Sequence, residues 1–386
     1  MIRKDYRIIV KIMPAIFLLF LAFPFVNSYL HLIDEMDTTE NRKKAKEPNF
    51  DITDLDPYPL QYNAYIEDNI SLRNHYIFLH NCYNYFLLKK SINEEKVTIG
   101  EDGWLFRINQ ALPVNAVKDS FNIDELLDFR KEIKRRTDYY KKNGADFYIF
   151  IVPNKATVYP EFVSSRYQSE SIDNTNNKID KLMNFLSLDD SIRNVFYLKD
   201  ELVKTKDKHR LYYKKDHHWN NMAGFYATGF INAQLNKKYP QISDLVKFEN
   251  YNISYEKKHY GNLSQLLGIK SILNDEIVYF TIKDSTQLYQ KGKIRKIKAP
   301  KGFAYSWAYQ KSTVTKNKKL PKGLIIRDSF SKPLIPFLAY SFSEVLYIWD
   351  AWRYGVNEDI FMKEKPDIVI DIIVEENLYK LIRAKK

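Results

Sequence analysis

Two short segments of this 386-residue chain carry residue types at spacings that suit covalent chemistry. The first is Tyr212-Tyr213-Lys214-Lys215-Asp216-His217-His218-Trp219-Asn220; the second is Leu324-Ile325-Ile326-Arg327-Asp328-Ser329-Phe330. In extended backbone, side chains two apart share a face, so Asp216 and His218 are expected to point together and His217 away. A carboxylate beside an imidazole can hold the Nδ1 proton, fix the tautomer and stabilise the charged ring. A serine hydroxyl is a poor nucleophile until a base takes its proton, and a His–Asp pair supplies one. Ser329 follows an apolar run that reads as a buried strand, and open α/β sheets build sites at the carboxyl ends of strands. Asp216, His218 and Ser329 are therefore the expected catalytic set, with the amide of Ser329 or Phe330 near a developing oxyanion.

Each piece has a plainer reading when taken alone. Two histidines beside a tryptophan can fill a core edge, and a serine can cap a helix. With seven histidines in the whole chain, D-H-H-W-N as a block favours the chemical reading. Asp and His also ligate zinc, but the further candidates His209 and His259 sit in no motif, so neither metal nor cofactor is expected. Asn154 and Lys155 follow another strand end and are read as cleft-lining or oxyanion donors, with an ordinary turn as the alternative. Trp219 is a candidate for substrate contact. Trp349, Trp352 and Arg353 also follow a strand end, where they could stack on or pair with a sugar, or pack beneath a loop.

These residues need a scaffold, and the pattern supplies an alternation of strand and helix. Val97–Gly100 and Gly103–Phe106 read as short strands around a turn. A helix capped by Asp124 runs to Asn143-Gly144, and Phe147–Val152 follows as an unalternating apolar run that suits a strand buried on both faces. A helix over 177–186 and a strand over 195–198 come next, then a helix capped by Asn220. Leu324–Ile326, a helix from about Pro333, Val345–Trp349 and Asp367–Val374 complete the series. This is an α/β fold: a largely parallel sheet with helices on both faces. Residues 240–320 break the rhythm and are read as a β-containing insertion.

The N-terminus carries Arg3, Lys4, Arg7 and Lys11 before an uncharged run from Ile12 to Leu30. At about 1.5 Å per residue that run reaches bilayer thickness, and the basic flank places the rest of the chain outside the cytoplasm. No small-x-small cleavage site is evident near Val26–Tyr29, so an uncleaved transmembrane anchor is expected. The organisation is thus 1–31 cytoplasmic tip and anchor, 32–95 linker (with Glu40–Pro48 charged and polar) and helical approach, and 96–386 the catalytic domain. Sixty basic against 48 acidic residues give +12. The charge reads as scattered rather than striped, which favours anionic polymers or membrane faces over nucleic acid. Cys82 is the single cysteine, so no intrachain disulfide forms.

D-H-H-W-N with a later D-S-F, preceded by Gly100–Phe106 (G-x-D-G-W-L-F) and Val152–Glu161 (V-P-N-K-A-T-V-Y-P-E), resembles the DHHW family. That family is similar to the SGNH-like domains of the alginate O-acetylation proteins AlgJ and AlgX, and the resemblance runs from about Asn41 to the C-terminus. It implies a flavodoxin-like SGNH fold with permuted motif order, since the serine follows the Asp-x-His pair. It further implies transfer of acetyl groups to a cell-surface polysaccharide outside the membrane, with a membrane-bound O-acyltransferase as donor partner. The same triad suits an O-acetyl esterase, and the same fold a non-catalytic glycan-binding or scaffold subunit. One departure stands out: Arg327 replaces the glycine normally two before the serine, and is expected to alter the turn and the oxyanion hole.

Overall fold

The computed structural model describes residues 2–37, 43–53, 55–111, 121–167, 177–242, 247–284, 289–293, 295, 297–351 and 353–383. Glu40 of the linker and Trp352 lie outside the described residues. The chain divides into two compact units, 1–93 with 264–271, and 94–263 with 272–386.

In the first unit, helix α1 (Ile2–Leu30) contains the stretch Ile12–Leu30, 19 residues long and apolar enough to cross a membrane. The helical approach expected within 32–95 consists of two helices, α2 (Tyr58–Asn69) and α3 (Arg73–Phe86). Leu72 separates them in left-handed backbone at φ 63°, a conformation that cannot continue a helix. Glu35 fixes this break by accepting from the Leu72 amide and the Ser71 hydroxyl, each at 2.7 Å.

The second unit opens with the antiparallel pair β1 (Val97–Ile99) and β2 (Leu105–Arg107). Helix α4 (Ile123–Lys142) is capped two residues before the expected Asp124: Asn122 accepts from the Glu125 amide while the Glu125 side chain accepts from the Asn122 amide. It leads through Gly144, at φ 84°, into β3 (Asp146–Val152). Helix α5 (Lys178–Ser187) and strand β4 (Val195–Tyr197) follow, then helices α6 (Lys199–Thr205) and α7 (Asn221–Asn236). Strands β5 (Tyr251–His259) and β6 (Asn274–Ile282) form a separate antiparallel ribbon. The remaining strands are β7 (Gln290–Lys291), β8 (Gln310–Val314), β9 (Lys322–Arg327), β10 (Glu344–Trp349) and β11 (Ile368–Val374). Helix α8 (Glu358–Glu364) joins the last two.

Seven strands make one sheet in the order β4-β3-β11-β9-β10-β8-β7, with the first five mutually parallel and β8 and β7 antiparallel at one edge. The region read as an insertion is therefore two things: the β5–β6 ribbon, and an edge that extends the main sheet itself. Alternate strand residues feed two cores. Phe150, Ile325, Tyr347 and Ile370 pack with α7, and Ile149, Ile326, Ile348 and Val369 pack with α4, α5 and α8. Each such side chain, moved out of water, contributes roughly 1.5–3 kcal/mol. The chain leaves β3 toward β4 but leaves β9 toward β10, on the other side of β11, so the winding reverses there and opens a crevice beyond the strands' carboxyl ends.

Candidate active site

Ser329 stands in that crevice, one residue past Asp328 at the end of β9. The position is fixed by Asp328, which is buried and fully used. Its Oδ1 accepts from the Phe330 amide at 2.9 Å, and its Oδ2 from the Val374 amide of β11 at 2.8 Å and the Tyr354 hydroxyl at 2.7 Å. These bonds bind the serine turn to the neighbouring strand. They also occupy the Phe330 amide, so only the Ser329 amide remains of the two expected oxyanion donors. Arg327 leaves the turn intact: its guanidinium lies 4.9 Å over Trp349 and donates to the Asp328 and Ala308 carbonyls at 3.2 and 3.0 Å.

The D-H-H segment is a bent loop rather than extended backbone, closed by an antiparallel bridge between Tyr212 and Trp219. The bend has a local cause. Asp216 Oδ1 accepts from the backbone amide of His218 at 2.9 Å, a two-residue side-chain turn that throws both side chains to one side. The same oxygen accepts from His218 Nδ1 at 2.7 Å, and His218 Nε2 lies 2.8 Å from Ser329 Oγ. The other carboxylate oxygen accepts from the Asn262 amide at 2.9 Å. Asn262 follows Gly261, at φ 115°, where an added Cβ would come within 2.1 Å of the Lys215 carbonyl. Burial works to raise the Asp216 pKa, but the His218 hydrogen bonds and nearby imidazoles outweigh it and hold the carboxyl well below its usual range.

His217 does not point away, because in the bent loop its ring centre lies 3.8 Å from that of His218, with the planes tilted by 39°. Asn262 Nδ2 donates to its Nδ1 at 2.6 Å. Burial, followed by the His218 charge, pulls its pKa down to about 3. The unfolded chain takes up this proton near pH 6.5 and the folded chain near 3, so stability is lost as pH falls from 6.5 toward 3. His217→Gln is expected to flatten that acid limb in a series of thermal melts; an unchanged limb would assign the loss to other groups.

Lys155 neither lines the cleft nor faces an oxyanion. Its ammonium is fully buried and donates to the carbonyls of Leu105, Lys214 and Asp216 at 2.6, 3.0 and 3.0 Å, between the Trp104 and Phe106 rings at 4.9 Å each. Burial pulls its pKa well down, with the Asp275 and Asp216 carboxylates working against that fall. It is a strut beneath the Asp216 loop, which Asp275 of β6 grips from the side by accepting from the Lys215 amide at 2.7 Å. Lys155→Met removes three buried hydrogen bonds, with the Lys214 carbonyl keeping only the Leu105 amide at 2.8 Å, and is expected to cost about 3 kcal/mol or more, read as a lowered melting temperature.

The other expected contacts also move. Trp219 is wholly buried, and its indole N–H donates to the Phe330 carbonyl, tying the histidine loop to the serine turn. Asn154 is buried at the end of β3, outside the cleft's walls. Arg353 reaches Asp350 at 3.7 Å and borders a different depression, with Lys298 and Asn357. Trp349 does line the cleft.

The cleft holds about 330 Å³ above Ser329 and is walled by Arg107, Tyr305, Trp349, Glu376 and Asn377 among others. Glu376 accepts from Asn109 at 3.1 Å and pairs with Arg107 at 3.5 Å. Sequence reasoning passed over Glu376 and Asn377, although they directly follow β11, where the strand-end rule points. Among the described residues, Asp216, His217 and His218 form the one trio whose ligand atoms, within 4.8 Å of one another, suit a metal ion. Those atoms are already engaged with one another, Asn262 and Ser329, which favours a proton relay over a cation site.

A mostly parallel sheet covered by helices, with a serine just past a strand end facing a histidine on a flanking loop, is the architecture of an SGNH hydrolase-like domain. The profile of the family described as SGNH hydrolase-like domain, acetyltransferase AlgX, matches residues 97–289, half of the chain, and the chain belongs to that family. The matched stretch includes Asp216, His218 and Asn262 and stops short of Ser329.

Among solved structures, Bacillus cereus PatB1 with a sulfonyl adduct is similar at 18% identity and a TM-score of 0.54, over 76% of this chain and 100% of that one. A second structure of Bacillus cereus PatB1 gives 18% and 0.52, over 72% and 95%. A DHHW family protein from Eubacterium siraeum gives 16% and 0.47, over 66% and 88%. No curated protein sequence matches the chain.

Proposed function

We propose that this chain is an extracytoplasmic O-acyltransferase that moves an acetyl group onto a cell-surface polysaccharide through an acyl-serine intermediate. The observation that carries the reading is the unbroken line from Asp216 through His218 to the Ser329 hydroxyl, at 2.7 and 2.8 Å. Ser329 Oγ attacks the donor's carbonyl carbon as its proton passes to His218 Nε2, and the Asp216 carboxylate steadies the imidazolium. The Ser329 amide faces the tetrahedral oxyanion. Collapse expels the donor's leaving group, which takes the proton from His218, and leaves the acyl-serine. A sugar hydroxyl then gives His218 its proton and attacks the acyl carbon; collapse returns that proton to Ser329 and releases the O-acylated sugar. General-base assistance of this kind is worth about 10²–10⁴ in rate.

Membership in a family described by the acetyltransferase AlgX supports acyl transfer. The apolar stretch Ile12–Leu30 suits a membrane anchor, and a membrane-bound O-acyltransferase would be the natural source of acyl groups on the far side of a bilayer. The test is to incubate the full-length chain with an activated acetyl ester and a glycan. Accumulating O-acetylated sugar is the expected result. Free acetate alone would make the enzyme an esterase, and neither product would leave a binding subunit.

A further inference from the structure

Helix α3 wears its polarity the wrong way round for water. Of its 14 residues only Arg73, the first, carries a formal charge with histidine neutral, whereas α4 in the second unit carries twelve in 20. At 3.6 residues per turn, Tyr76, Leu79, Tyr83, Phe86 and the capping Leu87 fall on one face. Past Tyr76 this face is bare: Leu79, Tyr83, Phe86 and Leu87 are 46–71% exposed. The buried face is the polar one, with Asn74, Asn81 and Tyr85, and Asn74 donates to the Met36 carbonyl at 2.7 Å. A helix standing in water does the reverse, burying its apolar stripe and turning polar residues out.

The same helix lies beside the stretch that suits a membrane anchor. Asn27 of α1 donates to the Ser71 hydroxyl at 2.9 Å, and Phe20 of α1 packs on Tyr76 with ring centres 5.0 Å apart. As residue numbers rise in α3 they fall in α1, so α3 runs back along α1 rather than away from it. Pro24, between the two contacts, is buried. Phe20 stands ten residues before Leu30, the end of the apolar stretch. At about 1.5 Å per residue that is roughly 15 Å, about half of a hydrocarbon core some 30 Å thick. Whatever surrounds α1 at that level also surrounds the open face of α3. Cations stand only at the ends, with Arg73 at the first position and Lys89 and Lys90 just past the last. Such long side chains can reach from an apolar layer to lipid phosphates.

We infer that α3 lies in the outer leaflet with its Leu79, Tyr83, Phe86 and Leu87 face against lipid acyl chains, so that the chain grips the bilayer by an interfacial helix as well as by α1. The inference takes the anchor and its orientation from the functional reading, and the second contact from the geometry of α3. Tyrosines suit this level, with the ring in the apolar layer and the hydroxyl toward the headgroups. A second protein could also cover an apolar face, but α3 is seated on α1 where lipid is already the solvent. A single spanning helix can rotate and tilt about its own axis. A second helix lying in the leaflet removes that freedom from the unit that carries both.

The test uses the unaltered full-length chain in vesicles of phosphatidylcholine and phosphatidylglycerol, with a trace of phospholipid bearing a diazirine in its acyl chain. After illumination, digestion and mass spectrometry, label is expected on peptides from 12–30 and from 79–88, and not on those from α4. Label on 12–30 without 79–88 would overturn the inference and leave the anchor standing, and label on neither would remove both. Joint Leu79→Gln, Tyr83→Gln, Phe86→Gln and Leu87→Gln replacement is expected to cut labelling of α3 several-fold while 12–30 keeps its own. Undiminished labelling of α3 in that variant would overturn the inference. If the variant does not fold, the unaltered chain at less than one copy per vesicle decides. Labelling of 79–88 at both densities supports lipid contact, whereas labelling that appears only on dilution would put a second copy on the stripe and overturn it. None of these readouts involves acyl transfer, so a failed serine mechanism leaves them unmoved.

Discussion

Ser329→Ala is expected to lower turnover of a small acetyl ester by roughly 10³-fold or more while leaving the melting temperature nearly unchanged. The hydroxyl's structural ties are few: its bond is to His218 Nε2, and the turn that presents it is held by Asp328, Val374 and Tyr354 instead. Removing one oxygen therefore removes the proposed nucleophile and little else. Intact-mass measurement after treatment with a sulfonyl fluoride gives the matching chemical readout. The unaltered chain should gain one sulfonyl group, on the peptide containing Ser329, and the variant none. Equal ester turnover by both proteins would remove the serine from the mechanism and leave a binding protein.

Asp216→Asn is expected to lower kcat by about 10⁴. The carboxylate accepts from the His218 amide and His218 Nδ1 on one oxygen and from the Asn262 amide on the other. Asparagine has a single oxygen. If that oxygen faces His218, the NH₂ group opposes the Asn262 amide; if it faces Asn262, the NH₂ group opposes the imidazole and favours the tautomer with its proton on Nε2. The first arrangement strains the loop and the second leaves no base toward Ser329. A kcat loss with KM little changed, in a variant that still melts cooperatively, is the result to look for. A rate within tenfold of the unaltered chain would mean that His218 does not depend on this carboxylate.

Much of the scaffold was legible because long unalternating apolar runs such as 147–152 and 368–374 have few other uses in a chain of this kind. Asp216, His218 and Ser329 were nameable because their types are chemically rare in combination. What remained hidden depended on distant contacts. No local rule says that the polar end of Lys155 lies under Asp216, or that Gly261 and Asn262, on the far side of α7, return to hold that carboxylate. Arg327 looked like an obstacle to the turn because its sequence neighbours give no hint of the Trp349 ring that takes its guanidinium. The extended reading of 216–218 failed for a local reason, since an aspartate's preference for the amide two residues ahead outweighed strand geometry.

His218 precedes Ser329 by 111 residues, and Val374, whose amide holds the Asp328 side chain of the serine turn, lies 46 residues beyond Asp328. Ribosomes make chains from the N-terminus, so the imidazole exists well before anything it could activate. Even a finished Ser329 waits for the last strand of the sheet to slot in beside it. On the acyl-transfer reading, a partly synthesised copy, or one lacking that last strand, would spend no acyl donor, and activity would report that the whole domain has closed.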